Sequence, residues 1–410
     1  MNWRAAVALL AIVLGFAGCR ATEVAAPDGS APDVDERLIA ANNSFAFRLM
    51  GALREGTPTA NVFISPASIA VDLQMVYNGS GGETKTTMAD VLALGGLGMN
   101  EINEANQALL AGLNMPVRGV EFSMANSLWY KNTAPYADSY LDTCRSYYSA
   151  TVEGLDFTSP EAAKTIDAWV SDQTRGKITS ITPSRLPPLV SLILVNAAYF
   201  KGEWSTPFEK RETSPGDFTL LDGTKKPLPM MLRAEEETDY HRGEGYQAVH
   251  LPYGNGRIGM IVMLPDQDSS LDALCEAVDA EEWGRCVRGM HETECTLKLP
   301  RFSAEYATSL KTDLTRLGME IAFDPVRADF AAMQPARPRR WIHDVLHSTY
   351  LKVDEKGTEA AAATEVLMSD GEDPGGPRAV LVDRPFICAI RDTNTGAILF
   401  IGAIVDPGEA

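Results

Sequence analysis

The sequence predicts an α+β fold, and three stretches carry that expectation. Leu38, Ala41, Phe45, Leu49 and Leu53 recur at spacings of three and four, the stripe of a helix packed on a core. Val120 to Tyr130 alternates as a half-wet strand does, whereas Leu192 to Phe200 is an almost continuous apolar run, as a central strand covered on both faces requires. Near the C-terminus, Arg384 to Ile390 and Ala397 to Ile404 flank Asp392 to Gly396 as a buried β-hairpin.

The bulk properties agree with a folded domain and narrow its chemistry. The 410 residues are 45% hydrophobic and 8% aromatic, enough for an extensive core. The formal charge is −19, the opposite of the balance a nucleic-acid binder needs, so no nucleic-acid partner is expected. Plain solubility accounts for the acidity.

In chain order, residues 1–18 read as an export signal. Arg4 supplies a basic start, and Ala5 to Phe16 form an apolar core too short to remain as a membrane span. Ala17-Gly18-Cys19 resembles a bacterial lipobox, which makes Cys19 the expected lipidation site and residues 19–34 a lipidated, flexible tether. Phe16 departs from the usual leucine, and an ordinary signal peptide with an incidental cysteine is the alternative. An exported protein of the cell envelope is therefore expected, touching the membrane only through its lipid, or else secreted. Five cysteines remain, an odd number, so at least one thiol stays free. The spacings of Cys275, Cys286 and Cys295 match no common zinc pattern, and no metal or cofactor is expected.

From residue 35 onward a single domain is expected. Asn61 to Ile64 reads as a strand that breaks at Pro66 into a second helix continued by Leu73, Val76 and Tyr77. Ser65 there is a natural helix N-cap. Ile166, Trp169 and Val170 mark an amphipathic helix that stops at Gly176. One amide, Asn196, interrupts the apolar run from Leu192, and a buried amide needs partners. Gly254-Asn255-Gly256-Arg257-Ile258-Gly259 has the spacing of a dinucleotide loop, but a strand rather than a helix follows it, so it reads as a hairpin turn. Leu297 to Phe302 is a further strand, and Leu310, Leu314 and Leu317 place a helix before Gly318.

The most unusual stretch follows. Glu355-Lys356-Gly357-Thr358-Glu359-Ala360-Ala361-Ala362-Ala363-Thr364 is written in helix and coil formers, yet at period two it sorts into faces. Thr358, Ala360, Ala362, Thr364, Val366 and Met368 share an uncharged face, and Glu359 and Glu365 lie on the other. Such a segment can be a loop in one state and a strand in another, with Gly357 supplying backbone freedom.

This stretch resembles the proximal hinge of the reactive-centre loop of inhibitory serpins, and the resemblance runs in order over roughly residues 36–407. It implies helices around a large central mixed β-sheet, two further sheets, and an exposed loop over about 355–379. It implies that Ser65, Ser68, Asn196 and His347 form a shutter through which the sheet opens, with His347 as the partner of Asn196. Trp204 would lie under the breach where the loop first enters. The helix ending in Thr174-Arg175-Gly176-Lys177-Ile178 would lie across the sheet and yield when a strand inserts behind it.

The function this implies is that of a suicide substrate for a serine endopeptidase, the protease being the partner of a monomeric inhibitor that is not itself an enzyme. A protease acylates itself on the loop, which then inserts into the sheet before the ester is hydrolysed. A cysteine-protease target or a non-inhibitory role are the alternatives, and a secreted hydrolase a remote one, since no G-x-S-x-G or H-E-x-x-H motif is present. The scissile bond is expected about fourteen residues beyond Gly357, at Gly371-Glu372, with Asp370-Gly371 ranked beside it and Met368-Ser369 behind.

Overall fold

The computed structural model describes residues 32–133, 136–187, 190–334, 340–358 and 378–408. Asp35 caps the first helix by accepting the Arg37 N–H, and α1 (Glu36–Gly56) buries the predicted stripe. After β1 (Val62–Ile64), Pro66 opens α2 (Pro66–Tyr77), at a position where its missing N–H costs nothing. Every residue of α2 is buried, so it is the central pillar beneath the sheet. Next come α3 (Gly82–Val91), α4 (Met99–Leu113), β2 (Val120–Lys131), α5 (Asp138–Tyr148), β3 (Thr151–Leu155), α6 (Glu161–Gln173) and β4 (Leu192–Gly202). A run of strands follows: β5 (Ser214–Thr219), β6 (Lys225–Gly243), β7 (Tyr246–Tyr253) and β8 (Ile258–Pro265). Then α7 (Leu271–Ala277) and α8 (Ala280–Gly289) lead to β9 (His291–Pro300), β10 (Phe302–Ser309), α9 (Lys311–Leu314) and β11 (Asp344–Asp354). Two residues form β12 (Gly357–Thr358), and β13 (Arg378–Leu381), β14 (Phe386–Asp392) and β15 (Ile398–Ile404) end the fold.

Six strands make one sheet, in the order β10-β11-β4-β2-β3, with β12 on β11. Its central pair, β11 and β4, is parallel, and both their other neighbours along that order are antiparallel. On one face Val195 and Ala197 pack with Ile166 and Val170 of α6; on the other Leu194 and Val345 join Ile69 of α2. Coverage on both faces is why β4 reads as continuously apolar. The smaller sheets implied by the sequence are joined, because β6 runs through both and bulges between Arg233 and Glu236, giving one nine-stranded sheet.

The glycine motif is the turn between β7 and β8. Gly254 and Gly256 have φ of +54° and +87°, and a Cβ on Gly254 would lie 1.9 Å from the Arg118 carbonyl oxygen. Two expected boundaries shift. The strand expected over Leu297 to Phe302 is two strands, β9 and β10, broken at Arg301. The helix before Gly318 is the single turn α9 followed by an irregular one, because Gly318 takes φ +108°.

Candidate functional site: the parallel seam and the hinge above it

Beneath the sheet, polar side chains hold the seam between β4 and β11. His347 lies directly opposite Asn196 across it, and both are fully buried. The Ser65 N–H donates to His347 Nε2 at 3.0 Å, so Nε2 must be an acceptor. His347 Nδ1 therefore carries the proton and donates to Asn196 Oδ1 at 2.7 Å. Burial among these groups depresses the imidazole pKa to about 3, in keeping with a neutral ring. Asn196 Nδ2 donates in turn to Ser68 Oγ and, at 2.8 Å, to Asn126 Oδ1 on β2. One network thus ties α2 to three adjacent strands. Ser65 occupies the N-cap position of α2, but the expected capping bond is absent: its hydroxyl donates instead to the Leu399 carbonyl at 2.7 Å.

At the top of the seam the chain leaves β11, turns, and comes back. Asp354 accepts the Lys356 N–H at 2.9 Å, closing a tight turn. Gly357 then pairs antiparallel with Asp354 on one side and bridges Glu203, just past β4, on the other. Its φ is +149°, and a Cβ there would meet the Gly202 carbonyl oxygen at 2.0 Å, so only glycine fits. Thr358 is buried, paired with Val353, with Oγ1 3.2 Å from the Tyr253 hydroxyl. Trp204 stacks on Tyr253 with ring centroids 4.3 Å apart, and its Nε1–H donates to the Asp354 carbonyl at 2.9 Å. Glu355 is fully buried; Oε1 accepts from Arg301 Nε at 2.7 Å and Thr213 Oγ1 at 2.6 Å. The first two residues of a new strand therefore already sit in the mouth of the seam.

A family model described as serpin, serine protease inhibitor, matches residues 40–407. This chain is a serpin. Serpin B6 of Pongo abelii is 35% identical over 378 residues, 90% of this chain and 99% of that one. The human leukocyte elastase inhibitor is 32% identical over 389 residues, 91% of this chain and all of that one. Among solved structures, the native state of tengpin, a thermophilic serpin, superposes with a TM-score of 0.82 at 28% identity, covering 92% of this chain and 96% of tengpin.

Of the positions expected to matter in this serpin, the structure brings Ser65, Ser68, Asn196 and His347 into one network, and gathers Trp204, Glu355, Lys356, Gly357 and Thr358 at the seam's mouth. Within the loop expected over about 355–379, Glu355, Gly357 and Thr358 are buried, Lys356 is exposed in the turn between them, and 378–379 begin β13. Hinge residues Glu359 to Thr364, the scissile candidates Met368, Ser369, Asp370, Gly371 and Glu372, and Cys19 lie outside the described residues. All five described cysteines are free; burial raises Cys388 and Cys144 to about 12. Sequence reasoning missed Arg301, Thr213, Tyr253 and Asn126. Only Arg301 left a signal, since a buried Glu355 needs a cation.

Proposed function

We propose that this serpin inhibits a serine endopeptidase as a suicide substrate. The protease serine attacks the loop and forms an ester with the residue on the N-terminal side of the cut. The freed segment beginning at Gly357 then threads down between β4 and β11, carrying the acylated protease with it and distorting its oxyanion hole before water completes hydrolysis. The single observation that supports this is the antiparallel foothold of Gly357 and Thr358 at the mouth of a parallel seam. An antiparallel strand entering there replaces one parallel ladder by two antiparallel ones, which pair slightly better per residue. The face formed by Thr358, Ala360, Ala362, Thr364, Val366 and Met368 carries no charge to desolvate on burial.

The experiment is incubation with a panel of serine and cysteine proteases, read by denaturing gel and mass spectrometry. The expected result is a complex stable to SDS with release of a C-terminal peptide, whose new N-terminus fixes the scissile bond among Gly371, Asp370 and Met368. Thr358→Arg should turn the inhibitor into a substrate, because the buried Thr358 position would have to accept a guanidinium beside Tyr253. Clean cleavage of the parent protein by every enzyme, without complex, would overturn the inhibitory reading.

A further inference from the structure

We propose that Arg175 and Lys177, in the connector leaving α6, form a cationic latch across the β4–β11 seam that must release before the loop can insert. This rests on the insertion reading above. Tyr199 of β4 and Tyr350 of β11 lie directly opposite each other across the seam, on the face that α6 covers. The Arg175 guanidinium sits 5.5 Å from the centroid of the Tyr199 ring, and the Lys177 ammonium 5.1 Å from that of Tyr350. Two side chains only two residues apart thus hold one strand each.

The latch is anchored on the β4 side. Arg175 pairs with Glu121 of β2, which also accepts from Lys201 Nζ at 3.1 Å. The connector itself is held in an uncommon shape: Arg175 and Gly176 have φ of +53° and +76°, and buried Thr174 donates to the Val170 carbonyl at 2.8 Å and accepts the Ile178 N–H at 3.1 Å. A non-glycine residue at positive φ is costly, so the turn that aims Arg175 at Tyr199 is imposed by its surroundings. Insertion of a strand moves Tyr199 and Tyr350 apart by one further strand spacing, about 4.8 Å. A three-residue connector locked at both ends cannot follow both rings, so one contact breaks first. The latch therefore sets how long the seam stays shut.

The test needs no target protease. A synthetic peptide of residues 358–371 is added to the full chain, and its uptake into the sheet is followed by native gel and by the rise in thermal midpoint. Arg175→Ala with Lys177→Ala should take up peptide roughly tenfold faster than the parent, with the single variants between. Lys164→Ala, which removes an exposed pair with Glu161 on α6, serves as the control and should match the parent. Raising sodium chloride should speed the parent and leave the double variant unmoved, since the Arg175–Glu121 pair is exposed and screened. Uptake by the double variant at the parent's rate, or a parent rate insensitive to salt, overturns the latch alone. No uptake by any variant overturns the insertion reading and the latch with it.

Discussion

His347 is the residue on which the closed seam turns. Its two bonds require a neutral ring, and its pKa is depressed to about 3 against 6.5 in the unfolded chain. The unfolded state therefore binds the extra proton first. Stability from this site is complete above about pH 6.5 and is lost as pH falls from there toward 3, with a slope of up to about 1.4 kcal/mol per pH unit. Urea unfolding from pH 7 to pH 4 should show that decline, and His347→Gln should flatten it; equal slopes would mean other groups carry the acid response. Asp72 of α2 is a second buried anomaly, with both carboxylate oxygens unpartnered and a pKa raised by burial. Nothing in the sequence marked Asp72, because a carboxylate at one position of a helix reads as solvent-facing. Asn196 was legible for the opposite reason, as the one amide in an apolar run. Two roles were open for Ser65, a helix cap and a shutter position, because the same residue type suits both in the same place; its hydroxyl makes no cap and bonds the Leu399 carbonyl.

The described part of the hinge ends in the two-residue strand β12, and Glu355 stands at the turn that leads into it. Arg301 and Glu355 are an ion pair with almost no access to water, so removing one partner strands a buried charge. Glu355→Ala should lower stability by about 3 kcal/mol in urea unfolding, whereas the double replacement Arg301→Met with Glu355→Leu should recover most of it. Failure of the double variant to recover would place the cost elsewhere, for example in the Thr213 bond. The strands of the seam were readable from pattern alone, since β4 is apolar throughout and β2 alternates. The docking of Gly357 and Thr358 was not. Local sequence gives the faces of the segment, but which face finds a partner is decided by Gly202, Glu203 and Tyr253, more than a hundred residues away.

At the scale of the molecule, the parallel pairing from Asp344 to Tyr350 is the ladder that the proposed insertion would exchange for two antiparallel ones. Protein cleaved in its loop should accordingly unfold at least about 10 °C above the intact chain by calorimetry, as some ten ladder bonds are added. Equal midpoints would remove the driving force proposed for inhibition. The family and its architecture were readable because apolar pattern and hinge composition are local properties. The joined nine-stranded sheet was not, since it depends on β6 running unbroken from Lys225 to Gly243 past the bulge between Arg233 and Glu236. The foothold at Gly357 has a kinetic meaning as well. In a zipper the first closed link is the slow one, because it spends chain entropy before any neighbour is in place. Here Gly357 and Thr358 already make that link, so under the proposed mechanism insertion starts at propagation rather than nucleation, and ester hydrolysis has correspondingly less time to compete.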